Sequence, residues 1–203
     1  MVVYFNWMPQ DCNMAGGINM ILFVVRHGET DYNIQQRYAG STDVPLNNAG
    51  IRQAEEIARQ LAQTRFDVIV SSPLKRALET AQIIKEYHTE TPFIIINEFA
   101  ERSVGVYEGI TRDEARSRFP ELWARQCTSK LDDAPTNGET LRQVDDRITI
   151  GMNKIKEKYA DKTVLLVCHG FVSRAINRQI NNIPFDEMHS FTLENCQIAT
   201  YKL

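Results

Sequence analysis

Apolar and polar positions along the chain switch between two periods, one of strands and one of helices. Ile21 to Val25 is an unbroken apolar run, partly β-branched and short enough to be a strand buried on both faces. It gives way abruptly to Arg26, His27, Gly28, Glu29 and Thr30. From Asn47 onward, Ile51, Ala54, Ala58 and Leu61 recur at spacings of three and four with Gln, Glu and Arg between them, which predicts an amphipathic helix. Val68 to Val70 reads as a second short strand. The Ser71, Ser72 and Pro73 that follow read as an N-cap with proline at the first helical position, and Leu74, Ala77, Leu78, Ala81 and Ile84 trace the stripe of a second helix. A third strand, Phe93 to Ile96, runs into Glu98, Phe99, Ala100, Glu101 and Arg102.

Between Arg102 and Asn137 short helical pieces are broken by Gly105, Gly109, Pro120 and Pro135, as expected of a lid over one end of a sheet. After Gly138 a long helix returns, with Leu141, Val144, Ile148, Met152 and Ile155 on one side. Thr163 to Cys168 is a fourth strand ending in His169 and Gly170. Val172, Ala175, Ile176 and Ile180 mark another helix, and a last strand is expected from Gln197 to Tyr201. Strands alternating with amphipathic helices predict an α/β fold, a mainly parallel central sheet with helices on both faces. The expected organisation is a single domain over residues 20–203 with a lid around 102–137, preceded by a poorly ordered extension over residues 1–19.

Charge narrows the classes of partner. Lys and Arg number 23 against 26 Asp and Glu, a net −3, which argues against a broad cationic surface for nucleic acid or anionic lipid. Any anion site must be local. The longest apolar runs, Met20 to Val25 and Val164 to Cys168, fall far short of the ~20 residues a membrane span needs, and the first 19 residues lack the pattern of a secretory signal. Cys12, Cys127, Cys168 and Cys196 show no close spacing, so reduced thiols in a cytoplasmic protein are expected over a disulfide frame or a zinc site. Neither HExxH, GxxxxGK nor GxGxxG occurs.

In sheets of this kind ligands bind beyond the carboxyl ends of the strands. Those ends carry Arg26 and His27, Ser72 with Arg76 a turn later, Glu101, and His169. Two guanidiniums with two imidazoles form an anion trap suited to phosphate. A neutral imidazole is a competent nucleophile toward phosphorus once its other nitrogen is held, and a carboxylic acid would protonate the departing alkoxide. Glu101 is the strand-end candidate for that acid, with Glu98 and Glu108 as nearby alternatives.

The chain resembles the histidine phosphatase superfamily, also called the phosphoglycerate mutase-like family. The resemblance rests on Arg26-His27-Gly28-Glu29-Thr30 with Asn33 and Arg37, on Asp43, Pro45, Leu46 and Gly50, and on Ser71-Ser72-Pro73-Leu74 with Arg76, Ala77, Thr80 and Ala81. It continues through Glu101, Gly105 and Glu108-Gly109, then Gly138-Glu139-Thr140 and Val167-Cys168-His169-Gly170, spanning nearly all of residues 20–203. It implies that His27 is the phosphorylated nucleophile, that Arg26, Arg76 and His169 hold the phosphoryl oxygens, that Asn33 adds a contact and that Glu101 donates the proton. No metal or organic cofactor is implied. The expected partner is a small phosphorylated substrate, with a homodimer admissible and neither nucleic acid nor a membrane expected.

Glu101-Arg102 is similar to the mutase branch, whereas Arg37 to Leu46 looks like the small bacterial phosphatases of the family. Mutases of the family carry more covering material; here 67 residues separate Glu101 from His169 and 34 follow it, so hydrolysis is expected over transfer. The rivals are a cofactor-dependent phosphoglycerate mutase and a non-catalytic phosphate-binding module built on Arg26, Arg76 and His169. A binder needs neither a nucleophile nor an acid, and the chain has candidates for both. Cys168 is read as packing, because neighbours in a strand point to opposite faces and cannot form a Cys-His dyad. Arg112 and Arg116 are read as a solvated helix face, with reach to a substrate's far group as the alternative. His88 and His189 are read as surface or packing residues, and Lys154, Lys156 and Lys158 as a hydrated helix end.

Overall fold

The computed structural model describes residues 19–203. Apart from Asn19, whose amide donates to Asp161, the expectation for residues 1–19 lies outside the described residues. Five strands form one sheet in the order β3-β2-β4-β1-β5, with β1 at Ile21–Arg26, β2 at Val68–Ser71, β3 at Phe93–Ile95, β4 at Thr163–Cys168 and β5 at Ile198–Lys202. The first four are parallel; β5 runs antiparallel along β1. Around them lie α1 (Asp31–Ile34), α2 (Asn48–Leu61), α3 (Lys75–Lys85), α4 (Arg112–Arg118), α5 (Pro120–Ala124), α6 (Leu141–Lys158) and α7 (Gly170–Asn181). The mainly parallel α/β fold is as the periodicity predicts.

The sheet's period of two sorts its side chains between two cores. Leu22, Val24, Val164, Leu166 and Cys168 face α6 and α7, packing with Val144, Ile148, Ile155, Val172 and Ile176. Val25, Ile69, Leu165 and Val167 face α2 and α3, packing with Ile57, Leu61, Ala77, Ala81 and Ile84. With β4 central, Leu166 is wholly buried, and truncating such a side chain to alanine costs about 2–5 kcal/mol. The segment after Glu101 builds a third, smaller core from Val104, Tyr107, Ile110, Ala115 and Cys127, against which Tyr38 and Phe119 pack.

Several helix starts follow local capping chemistry. Asn47 caps α2 by accepting from the Gly50 amide at 2.8 Å, and Thr140 with Gln143 forms a capping box at α6. The expected Ser72-Pro73 start of α3 does not occur. The helix begins at Lys75, Leu74 is its N-cap without a side-chain bond, and the Ser72 hydroxyl is committed elsewhere.

Candidate active site

Strand register brings the two imidazoles together. Arg26 pairs with Cys168 across β1 and β4, so the next residue on each strand, His27 and His169, emerges at the same level, and the His27 amide donates to the Cys168 carbonyl at 3.0 Å. Their ring centroids lie 5.2 Å apart in an edge-on arrangement. On the other side of β4, Ser71 pairs with Val167, which sets Ser72 beside His169; Ser72 Oγ lies 2.6 Å from His169 Nε2. Arg76, in the first turn of α3, reaches back over the strand ends. Its Nε donates to His27 Nε2 at 3.2 Å, and its two terminal nitrogens donate to the carbonyls of Gly40 and Thr42, both at 2.8 Å.

The His27 tautomer follows from its partners. Nδ1 of His27 lies 2.7 Å from the Gly28 carbonyl, which can only accept, so Nδ1 carries the proton and the Nε2 lone pair faces Arg76. Ser72 Oγ accepts from the Leu74 amide and lies against His169 Nε2, while His169 Nδ1 is buried with no partner. Burial first, then the Arg76 charge, holds His27 well below the usual imidazole range, while the Gly28 carbonyl pulls weakly the other way. Burial and Arg76 hold His169 down as well, followed by His27 itself. Both rings are neutral near pH 7.

A cavity of about 500 Å³ opens at this end of the sheet, and Arg26, His27, Asn33, Arg76 and Glu101 line it. His169 is wholly buried and meets them through its contact with His27. One terminal nitrogen of Arg26 donates to the Leu193 carbonyl at 2.8 Å, while its Nε is buried without a partner. Burial lowers the pKa of Arg26 and Arg76 from the usual value, and the Glu101 carboxylate is the largest influence opposing it in both. Glu101 itself accepts from the amides of Arg102 (2.8 Å) and Phe171 (3.1 Å), which fixes its carboxylate against the start of α7. Of the alternative carboxylates, Glu98 pairs with Lys154, so that lysine is not simply hydrated. Glu108 is consumed by Ser41, Thr42 and Ser103. Asn33 Oδ1 accepts from the Thr30 amide and from Asn195, whose Nδ2 also donates to the His27 carbonyl at 2.9 Å.

Burial pushes the Cys168 thiol up and its sulfur faces the helical core, as expected of a packing residue. His88 packs edge-on against Phe66. His189 and Arg112 differ from the expectation, since both line the cavity; Arg116 does not. Four further lining residues, Arg37, Arg102, Phe171 and Arg174, escaped assignment to the site from sequence, and so did Asn195. Among the described residues no group of three or more His, Cys, Asp or Glu is arranged to hold a metal ion, and no helix is long and apolar enough to cross a membrane.

Residues 22–203 match the histidine phosphatase superfamily (branch 1). The chain belongs to that family. It is 40% identical over 158 residues to an uncharacterized phosphatase, PhoE, of Bacillus subtilis, covering 78% of this chain and 76% of the relative. It is 30% identical over 180 residues to a 2,3-bisphosphoglycerate-dependent phosphoglycerate mutase of Gloeobacter violaceus, covering 87% and 82%. The fold is shared with a putative α-ribazole-5'-P phosphatase of Escherichia coli at a TM-score of 0.84 and 26% identity, over 91% of this chain and 90% of that one. Phosphatases recur in both comparisons, and the chain is a phosphatase of this superfamily.

Proposed function

We propose that the chain hydrolyses small phosphomonoesters through a phosphohistidine formed on His27. The observation that carries this reading is the pairing of His27 Nδ1 with the Gly28 carbonyl at 2.7 Å, which leaves Nε2 unprotonated beside Arg76. Arg26, Arg76 and the unpartnered Nδ1–H of His169 bind the phosphoryl oxygens, and Asn33 adds a contact at the rim. Arg76 Nε passes from His27 to a phosphoryl oxygen as substrate binds, which frees the lone pair. Nε2 then attacks phosphorus as the ester P–O bond breaks, and Glu101 gives its proton to the departing alkoxide. Ionised Glu101 next takes a proton from water, whose oxygen attacks the phosphohistidine; the P–N bond breaks, and inorganic phosphate leaves.

Arg102 to Cys168 is a short stretch with which to exclude water, which supports hydrolysis over transfer to a second substrate. The segment 102–137 acts as the lid: Arg102, Val104, Arg112, Thr128 and Ser129 form one wall of the cavity. Rapid acid-free quenching with a 32P-labelled phosphoester is expected to trap an acid-labile, base-stable adduct. His27→Ala is expected to abolish it and to lower turnover roughly a thousandfold or more. Persistence of the adduct in that variant removes His27 from the role, and isomerisation of 3-phosphoglycerate in place of phosphate release would assign the mutase reaction.

A further inference from the structure

Glu101 lies outside regular structure. Strand β3 ends at Ile95, one 3-10 turn covers Asn97–Phe99, and the next such turn is at Gly105–Tyr107. The backbone polar groups between them still need partners where they are covered. Three of the carbonyls find the same one. Arg147, in the second turn of α6, donates from one terminal nitrogen to the carbonyls of Glu98 and Ala100, both at 2.7 Å. Its other terminal nitrogen donates to the carbonyl of Glu101 at 3.2 Å.

The rest of the guanidinium goes to Glu139. Nε donates to one carboxylate oxygen at 2.8 Å and a terminal N–H to the other at 2.9 Å, so all five donors of the fork are used. Glu139 in turn holds the chain beyond the acid. Its Oε2 accepts from the Ser103 amide at 2.8 Å, its own amide donates to the Ser103 carbonyl at 2.9 Å, and its carbonyl accepts from Arg102 Nε at 2.9 Å. The two side chains are largely covered, 19% and 28% exposed, and each neutralises the other. Neither lines the cavity, whereas Glu101 does.

This pair therefore grips the backbone on both sides of Glu101. The carboxylate itself accepts from the amides of Arg102, which belongs to the gripped loop, and of Phe171, which belongs to α7. A shift of the loop against α7 would pull the carboxyl away from the leaving oxygen. Proton transfer needs heavy atoms within about 2.6–3.2 Å, and a misplacement of about 1 Å can cost 10²-fold. We infer that Arg147, oriented by Glu139, is a positioning residue for the general acid: it fixes residues 98–103 so that the Glu101 carboxyl meets the leaving group, and it touches no substrate itself. This rests on the reading that Glu101 is the acid.

Leaving groups separate positioning from plain stability. Single-turnover phosphorylation of the enzyme by β-glycerol phosphate, whose alkoxide must be protonated, is compared with that by p-nitrophenyl phosphate, well below the Tm of each variant. Arg147→Ala is expected to slow the alkyl substrate by about tenfold to a hundredfold and the aryl one by less than about threefold. Arg147→Lys keeps the charge but offers three donors on a compact head, so it is expected to show the same selectivity at several-fold, and it serves where the alanine variant does not fold. In a Glu101→Gln background the alkyl-selective loss is expected to vanish, because the proton that Arg147 helps to place is already gone. Equal losses on both substrates, a selective loss that survives undiminished in the Glu101→Gln background, or unchanged rates in every variant that folds would each overturn the inference. A selective loss in Glu101→Gln without one in the Arg147 variants removes the positioning role and leaves the acid standing. Should Glu101→Gln alone show no preference between the substrates, the assignment of the acid falls, and the role of Arg147 with it.

Discussion

Ser72 Oγ and His169 Nε2 are 2.6 Å apart, although 97 residues of chain separate them. The contact exists because β2 and β4 are neighbours in register, and it decides where the His169 proton resides. The Leu74 amide donates to one lone pair of this hydroxyl; with the serine proton directed to Nε2, the protonated nitrogen of His169 is Nδ1, the one the proposed mechanism aims at a phosphoryl oxygen. Ser72 is thus a positioning residue that acts through His169.

Removing the hydroxyl should therefore change the chemistry more than the fold. Ser72→Ala loses one hydrogen bond, about 1 kcal/mol of stability, but frees His169 to adopt the other tautomer. The expected result is a fall of about tenfold in kcat/KM, with a mixed tautomer population at His169 in 15N NMR spectra where the wild type shows Nδ1–H alone. Wild-type kinetics with a single unchanged tautomer would show that the serine sets nothing.

Each carboxylate oxygen of Glu101 accepts from one backbone amide, so glutamine keeps the size and one of the two bonds while removing the transferable proton. Glu101→Gln is expected to slow the first step with an alkyl phosphate by about 10²- to 10⁴-fold, the range of general acid catalysis. p-Nitrophenyl phosphate, whose leaving group needs little protonation, should lose less than tenfold in the same step. Equal losses would place the acid elsewhere.

Much of this arrangement is legible in the sequence. Thr163–Cys168 is a strand in both readings, because an apolar run bounded by polar residues has few other ways to be buried. His27, Arg76, Glu101 and His169 stand out in the sequence because they lie at or a few residues beyond strand ends, where ligands of such sheets collect. The expected start of α3 fails because Leu74 keeps an extended backbone, so the helix begins at Lys75 and Ser72 Oγ meets the Leu74 amide and His169 instead of capping. Arg174 lies on an amphipathic helix, where an arginine reads as solvent-facing, and nothing local reveals that its helix borders a cavity. Asn195 reaches the His27 carbonyl from 168 residues away, a relation that only the pairing of β5 with β1 creates.

The buried imidazoles also set how stability varies with pH. In the unfolded chain each takes up a proton near its ordinary pKa of about 6.5; in the folded chain burial and Arg76 hold both well below that value. The unfolded state therefore binds more protons below pH 6.5, and the stability present above that pH is lost progressively as acidity increases. Each histidine adds at most about 1.4 kcal/mol per pH unit to this loss. Chemical denaturation at pH 7.5, 6.5 and 5.5 should show the wild type losing more than His169→Gln across the interval. Parallel curves for the two proteins would mean that His169 is protonated in the folded state.

Gly50 offers a test in which two effects have opposite signs. It lies in the first turn of α2, where alanine is intrinsically better than glycine by about 1 kcal/mol. A Cβ there, however, would stand 2.1 Å from the Glu29 carbonyl oxygen and 2.7 Å from its amide nitrogen, both backbone atoms with no rotamer to escape into. Overpacking of this kind costs about 1–3 kcal/mol when side chains can yield, and the upper part of that range or beyond applies where they cannot. Gly50→Ala is therefore expected to destabilise by about 1–2 kcal/mol net, a fall in Tm of roughly 2–8 °C for a chain of this size. The displaced segment includes Gly28, whose carbonyl aims His27, and Gly28 itself packs against the Gly50 carbonyl. Turnover should thus drop more than the lost stability explains when measured well below Tm. A variant with raised Tm and full activity would show that helix propensity wins and that the approach of α2 to the His27 loop has slack to spare.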